Sequence, residues 1–109
     1  MSISDAIVVL MTAPTLEEAR MLSVKLVETK LAACVQILPQ MESVYRWQGK
    51  VERQPEHLLL AKTTADRFAE LEREVRAMHS YDTPEIVSFP LTEGSSDYLQ
   101  WLQESVNRS

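Results

Sequence analysis

Groups able to do chemistry are sparse in this chain. It has one cysteine, Cys34, and two histidines, His57 and His79. Cys34 follows Ala32 and Ala33 with no base beside it, so its thiol reads as a small buried apolar group and not as a nucleophile. One thiol closes no internal disulfide, and there is no second cysteine for a zinc knuckle or a redox pair. His57, between Glu56 and Leu58, reads as a solvated position. His79 follows a stripe of helical spacing that ends at Met78, and a helix C-terminus there would favour its protonated form, so capping and ligation both stay open. Glu52, Glu56, Asp82 and Glu85 fall into no assignable acid–base pair, and solvated or salt-bridged roles are the commoner fate of such residues. Tyr45, Trp47, Lys62, Tyr81 and Glu85 make a richer set, because aromatics beside a cation and an acid are what line a cleft, here one between subunits. Plain interface packing is the competing reading of the same five.

No nucleophile, base and oxyanion donor can be named together, so the chain is not expected to be an enzyme. Gly49 and Gly94 are its only glycines, which leaves no phosphate-cradling loop. The formal net charge of -5 argues against a nucleic-acid partner, whose phosphates demand clustered Lys and Arg. RNA-recognition domains share the order of strands and helices read from this chain, but their aromatic sheet-surface motif is missing. The apolar run Ile7 to Met11 is far too short to cross a bilayer and lacks the flanks of a signal peptide, so no membrane association and a cytoplasmic, soluble protein are expected. With 45% hydrophobic and 25% charged residues in 109, one domain over 1–109 is expected.

The elements that must position these groups emerge from periodicity. Ala6 to Met11 is β-branched and unbroken, the pattern of a central strand buried on both faces. Thr15-Leu16-Glu17-Glu18 has the capping-box pattern, with Thr15 accepting from the backbone at Glu18 and the Glu18 carboxylate reaching back. The helix it opens presents Leu16, Ala19, Leu22, Leu26 and Val27 on one face, turns Glu17, Glu18 and Arg20 away, and places Lys30 at its negative end. Cys34 to Leu38 starts a second strand that Pro39 interrupts and Met41 to Gln48 resumes, which predicts an edge strand or a bulge. Gln48-Gly49-Lys50 reverses the chain, and Val51 to Thr63 returns as the other central strand, with a second bulge or unpaired stretch expected at Pro55. Phe68, Leu71, Val75 and Met78 predict a helix over about 65–78, and Pro84 disfavours helix in the polar connection after it. Ile86 to Phe89 is a fourth strand. A last helix is expected over about 96–106, capped by Ser95 or Ser96 and burying Leu99, Leu102 and Val106. The order βαββαβα is that of a ferredoxin-like α+β sandwich with an extended β2–β3 hairpin and a C-terminal helix.

The hairpin is too long for its own globule. Cys34 to Gln48 extended covers about 50 Å, whereas a 15-residue helix covers about 22 Å. Tyr45 and Trp47 alternate with Val44, Arg46 and Gln48, so the two rings project together from the overhang. Each ring buries on the order of 150–250 Å² when covered, and a closed ring of copies covers them without open-ended growth. An obligate oligomer is expected; the competing expectation is a hairpin folded back on its own sheet at Pro39 and Pro55.

Several segments are specific as an ordered set: Leu31-Ala32-Ala33-Cys34, Ser43 to Lys50 (SVYRWQGK), Lys62-Thr63, Tyr81-Asp82-Thr83-Pro84-Glu85 and Asp97 to Leu102 (DYLQWL). Over nearly its whole length the chain resembles the CutA divalent-cation-tolerance family. The resemblance implies a homotrimer with hairpins packed around a threefold axis, similar in architecture to the PII signalling proteins, and a role in the response to metal ions, copper above all. It further implies a metal site at the positions held here by Met11, Met78 and His79, a set of two thioethers and one imidazole better suited to a copper ion as Cu(I) than as Cu(II). Structural filling of the core is the other reading of Met11 and Met78. The alternative function is a PII-like sensor whose intersubunit cleft takes a small anionic ligand, with Lys62 or Arg46 as charge partner.

Overall fold

A computed structural model describes residues 5–107. Among these, four strands and three helices run in the order β1 (Ala6–Ala13), α1 (Leu16–Glu28), β2 (Cys34–Trp47), β3 (Lys50–Thr64), α2 (Phe68–Met78), β4 (Ile86–Pro90) and α3 (Ser96–Ser105). The strands form one antiparallel sheet in the order β2-β3-β1-β4, so the two unbroken apolar runs are central and the Pro-interrupted and short strands are edges, as expected. This is the ferredoxin-like α+β arrangement read from the pattern.

Alternation along the strands divides their residues between two faces. On one face Ile7, Val9 and Met11 of β1 and Leu59 and Ala61 of β3 pack with Leu22 and Leu26 of α1 and Leu71 and Val75 of α2, forming the main core. On the other face α3 packs Leu99 and Leu102 against Ala6 and Ala33 at one end of the sheet only.

Thr15 caps α1, its hydroxyl accepting from the Glu18 amide at 3.1 Å. The reciprocal half of the expected capping box is not made: the Glu18 carboxylate turns to the 79–81 segment instead. Leu16 and Val27, assigned to the apolar stripe of α1, lie at its margins and are exposed. The helix closes before Lys30, which adopts φ 61° while its amide donates to Val27 and that of Leu31 donates to Leu26. This is a Schellman end, and Leu31 and Leu26 make its apolar contact inside the core. The stretch expected to begin α2, Ala65–Arg67, is a single 3₁₀ turn that leads into the helix.

β2 and β3 pair without a break except for a register shift between Leu38 and Met41, the bulge foreseen at Pro39. No bulge accompanies Pro55, which pairs in register with Glu42. Trp47 and Lys50 close a two-residue turn with Gln48 and Gly49 at φ 50° and 80°, which twists with the strands as a type I′ turn does. Counting alternately from that closing pair, Glu42 and Pro55 are a non-hydrogen-bonded pair, so the missing Pro55 donor would have pointed at the open edge. β1 reaches only to the Ala13–His57 pair, and the ribbon beyond it overhangs the globule. The molecule accordingly measures 45 × 25 × 23 Å, with a radius of gyration of 14.5 Å where a compact chain of this length has about 13 Å.

Candidate functional site

Where β1 stops, the connection from α2 to β4 turns against the exposed flank of β3 and forms one wall of a cleft. Tyr81, which this connection supplies, donates a hydrogen bond from its hydroxyl to a Glu56 carboxylate oxygen at 3.0 Å. Cross-strand partners share a face, so Glu56, paired with Met41, stands on the same side as Tyr45 and Trp47, whose partners are Glu52 and Lys50. Tyr45, Trp47, Glu56, Tyr81, Glu85 and Thr12 together line an open cleft of about 530 Å³. Four of the five residues expected to share a cleft are thus brought together, by one chain.

Lys62 is the exception. It lies six residues further along β3 than Glu56, about 20 Å away at strand spacing. Its ammonium donates to Gln36 Oε1 at 2.8 Å and stands 5.6 Å over the Tyr98 ring, at the end of the sheet that α3 covers. Arg46, the other cation proposed for an anionic ligand, alternates to the side opposite Tyr45 and Trp47. The cleft wall therefore carries two carboxylates and no Lys or Arg side chain.

Glu56, expected to be solvated or salt-bridged, is only 7% exposed. It lies in phase with Leu58 and Leu60 on β3, and that phase was a legible signal of a carboxylate placed on an apolar sheet face. His57, also read as solvated, turns the other way, and its Nδ1 is buried without a hydrogen-bond partner among the described residues. Burial pushes the Tyr81 hydroxyl up to about 12, helped by its bond to Glu56 and by the negative charge there. At the other end Tyr98 rises to about 12 as well, first through burial and then through its 3.6 Å contact with the Cys34 sulfur.

His79, Met11 and Met78 occupy one neighbourhood. Met11 is fully buried in the main core, and Met78 packs against that core from the end of α2. The His79 ring is engaged at both nitrogens: Nε2 lies 2.8 Å from the Thr12 carbonyl oxygen, and Nδ1 accepts from the Tyr81 amide at 3.0 Å. A carbonyl oxygen can only accept, so Nε2 donates to Thr12, while the Nδ1 lone pair is taken by the Tyr81 amide. The Glu18 carboxylate, 3.3 Å from Nδ1, accepts from the Ser80 amide at 3.1 Å. A metal ion needs a free imidazole lone pair, and none is left, so the trio as placed does not fit a copper ion. Among the described residues no group of three or more His, Cys, Asp or Glu side chains is arranged to hold a metal. What His79 does in this geometry is tie the end of β1 to the segment that delivers Tyr81.

A family model described as the CutA1 divalent ion tolerance protein matches residues 7–105. The chain belongs to the CutA divalent-cation-tolerance family. It is 51% identical over 98 residues to the divalent-cation tolerance protein CutA of Thermus thermophilus, covering 90% of this chain and 95% of that one. It is 46% identical over 95 residues to the CutA of Archaeoglobus fulgidus, covering 87% and 92%. Among solved structures, CutA1 from Oryza sativa superposes with a TM-score of 0.94 at 41% identity, over 99% of this chain and 100% of that one. A CutA relative from Arabidopsis thaliana is chloroplastic and the solved Archaeoglobus fulgidus protein is called periplasmic, so CutA proteins are not confined to one compartment. No helix among the described residues is long and apolar enough to cross a membrane.

Proposed function

We propose that this CutA chain serves divalent-cation tolerance as a homotrimer, by binding and not by catalysis, with its uncovered sheet face at the centre of the assembly. The observation that carries this reading is the imbalance between the two sides of the sheet. On the side where α3 covers one end only, Leu10, Leu58 and Leu60 remain partly exposed, Val87 is 51% exposed and Phe89 46%. Trp47 extends the same side along the overhang and is 56% exposed. A continuous apolar face of this kind marks an interaction surface, and burial at roughly 25 cal/mol per Å² makes covering it worth several kcal/mol. A closed ring of three suits a ribbon that reaches past its own globule, because each ribbon then lies along a neighbour and the set does not grow further.

Sedimentation of the untagged protein tests the assembly: the expected mass is three times the 12.4 kDa of one chain, and a folded single chain at micromolar concentration would overturn it. Copper titration of wild type against His79→Ala tests the role of the imidazole. Since both His79 nitrogens are already bonded, the expected result is equal affinity in the two proteins, and a loss confined to the variant would restore His79 as a ligand. The sensor reading, with a small anion in the cleft, has no charge partner among the cleft residues, because Lys62 and Arg46 stand elsewhere.

A further inference from the structure

We infer that the position where resemblance to the family implies a metal ion is filled in this chain by two backbone amides, which makes His79 a positioning residue for Tyr81. Two acceptor atoms stand close together there, the His79 Nδ1 and a Glu18 carboxylate oxygen, 3.3 Å apart. Lone pairs so near one another repel unless something positive lies against both. The main chain supplies it. The Tyr81 amide donates to Nδ1 at 3.0 Å, and the amide before it, that of Ser80, donates to the same Glu18 oxygen at 3.1 Å. Successive main-chain N–H groups carry fixed partial positive charge, and a bond they give to a carboxylate is charge-assisted.

Local structure explains why these two amides are available. His79 ends α2 with an extended backbone, φ -73° and ψ 143°, so the N–H groups of the next two residues leave the helical direction and turn back on α1 and on the His79 ring. Glu18, in the first turn of α1, spends its carboxylate on Ser80. Nε2 donates to the Thr12 carbonyl oxygen at 2.8 Å, so the ring has no lone pair left over. The His79 side chain is 0% exposed, and no neighbouring copy can add to these partners or replace them. The Tyr81 ring leans on the imidazole, with centroids 4.8 Å apart and planes tilted by 50°. Amide bond and ring contact together fix where the Tyr81 hydroxyl stands, and that hydroxyl donates to Glu56. His79 and Glu18 thus pin the connection as two ligands on a shared ion would, with no ion between them.

All of these contacts lie within one chain, so the inference stands apart from the proposed trimer, and the test separates the two. Amide hydrogen exchange of the full-length chain reads each bond by itself. His79→Asn puts an amide oxygen where Nδ1 stands and should leave the Tyr81 amide slow. His79→Gln can reach Thr12 but has no acceptor at the Nδ1 position, and should speed Tyr81 exchange by about tenfold, the worth of one hydrogen bond. Glu18→Ala should speed the Ser80 amide by about the same factor. One equivalent of Zn(II), or of Cu(I) without oxygen, should change neither rate in wild type. A general loosening of the connection would speed exchange alike in His79→Asn and His79→Gln, and that result overturns the inference. So does a proton on Nδ1, read from its nitrogen chemical shift at neutral pH, and so does a cation that speeds both amides, because metal would then have displaced them. Sedimentation of the same samples settles the assembly independently: the expected exchange pattern in a chain of single-protomer mass supports the inference and removes the trimer.

Discussion

Two neighbours on β3, Leu58 and Leu59, belong to faces with opposite fates. Leu59 points into the core made with α1 and α2 and is fully buried, while Leu58 points to the side that α3 covers only at the far end, and stays partly exposed. The same division runs through β1 and β4, where Met11 is buried beside Ile86 and Leu10 is left beside an open Val87. Composition does not distinguish the faces, since both are built of Leu, Val and Phe or Met. What differs is cover, two helices against part of one. An apolar sheet face therefore says that something must lie on it, and the helix count within the chain says whether that something has to come from outside.

The largest effect that sharpens this contrast is on the closed face. Leu59→Ala should cost about 2–5 kcal/mol of unfolding free energy in urea titration, the range for a fully enclosed leucine, because the core around it cannot collapse into the space. Leu58→Ala should cost about 1 kcal/mol in the same experiment on dilute protein, where its side chain is part-solvated already. Equal losses at the two positions would mean that the open face is as fully covered as the closed one, and sedimentation of the same sample then tells cover by a neighbouring copy from cover within one chain.

A smaller effect on folding but a decisive one on association is expected from Val87→Asp. The edge strand β4 can solvate a carboxylate at a position that is half exposed, so the far-ultraviolet circular dichroism of the variant should match wild type. Placing three such charges against one another at the centre of an assembly costs far more than the pairing of the faces returns. Sedimentation should then give the 12.4 kDa single chain. A variant that keeps the wild-type mass would move the interface off this face.

Much of this division was legible in the sequence. The unbroken runs in β1 and β3 required central strands, and Pro39 required an edge position or a bulge; β2 has both, as an edge strand with the Leu38–Met41 register shift. Pro55 misled because a proline is harmless wherever its ladder position points outward, and that depends on the register set at the turn, not on the proline itself. The cleft is half legible: Tyr45, Trp47, Tyr81 and Glu85, expected between subunits, line one hollow of a single chain, whereas strand spacing holds Lys62, expected there for its charge, far from Trp47. Glu56 is hard to read because a lone carboxylate is usually solvated, and only its phase with Leu58 and Leu60 marks it otherwise. Glu18 illustrates a limit of local rules, since a capping box competes with any long-range donor, and here the Ser80 amide wins.

The polar groups buried on the two faces invite the finest comparison. On the closed face Thr63 donates to the Leu31 carbonyl oxygen at 2.7 Å, a bond between groups that do not titrate, and it should be indifferent to pH. On the open face the pair is a phenol and a carboxylate, and the Tyr81 hydroxyl must keep its proton to donate to Glu56. Its ionisation in the fold lies near 12 against 10.0 in the unfolded chain, so between these values the unfolded state releases a proton that the folded state retains. Stability from this pair is thus fully present below pH 10, and is lost as pH rises through 10 toward 12. The amplitude is small because the tyrosine is partly exposed. Tyrosinate absorbance measured as the difference between wild type and Tyr81→Phe isolates this residue from Tyr98, which also ionises near 12. Glu56→Gln should move the Tyr81 transition back toward 10.0 but not all the way, because burial, the larger cause of the rise, persists when the charge is gone. A transition already at 10.0 in wild type would mean that the hydroxyl is solvated and the carboxylate beside it unheld. The open face would then lack the titrating bond that holds its cleft end, and the comparison with the closed face would rest on cover alone there.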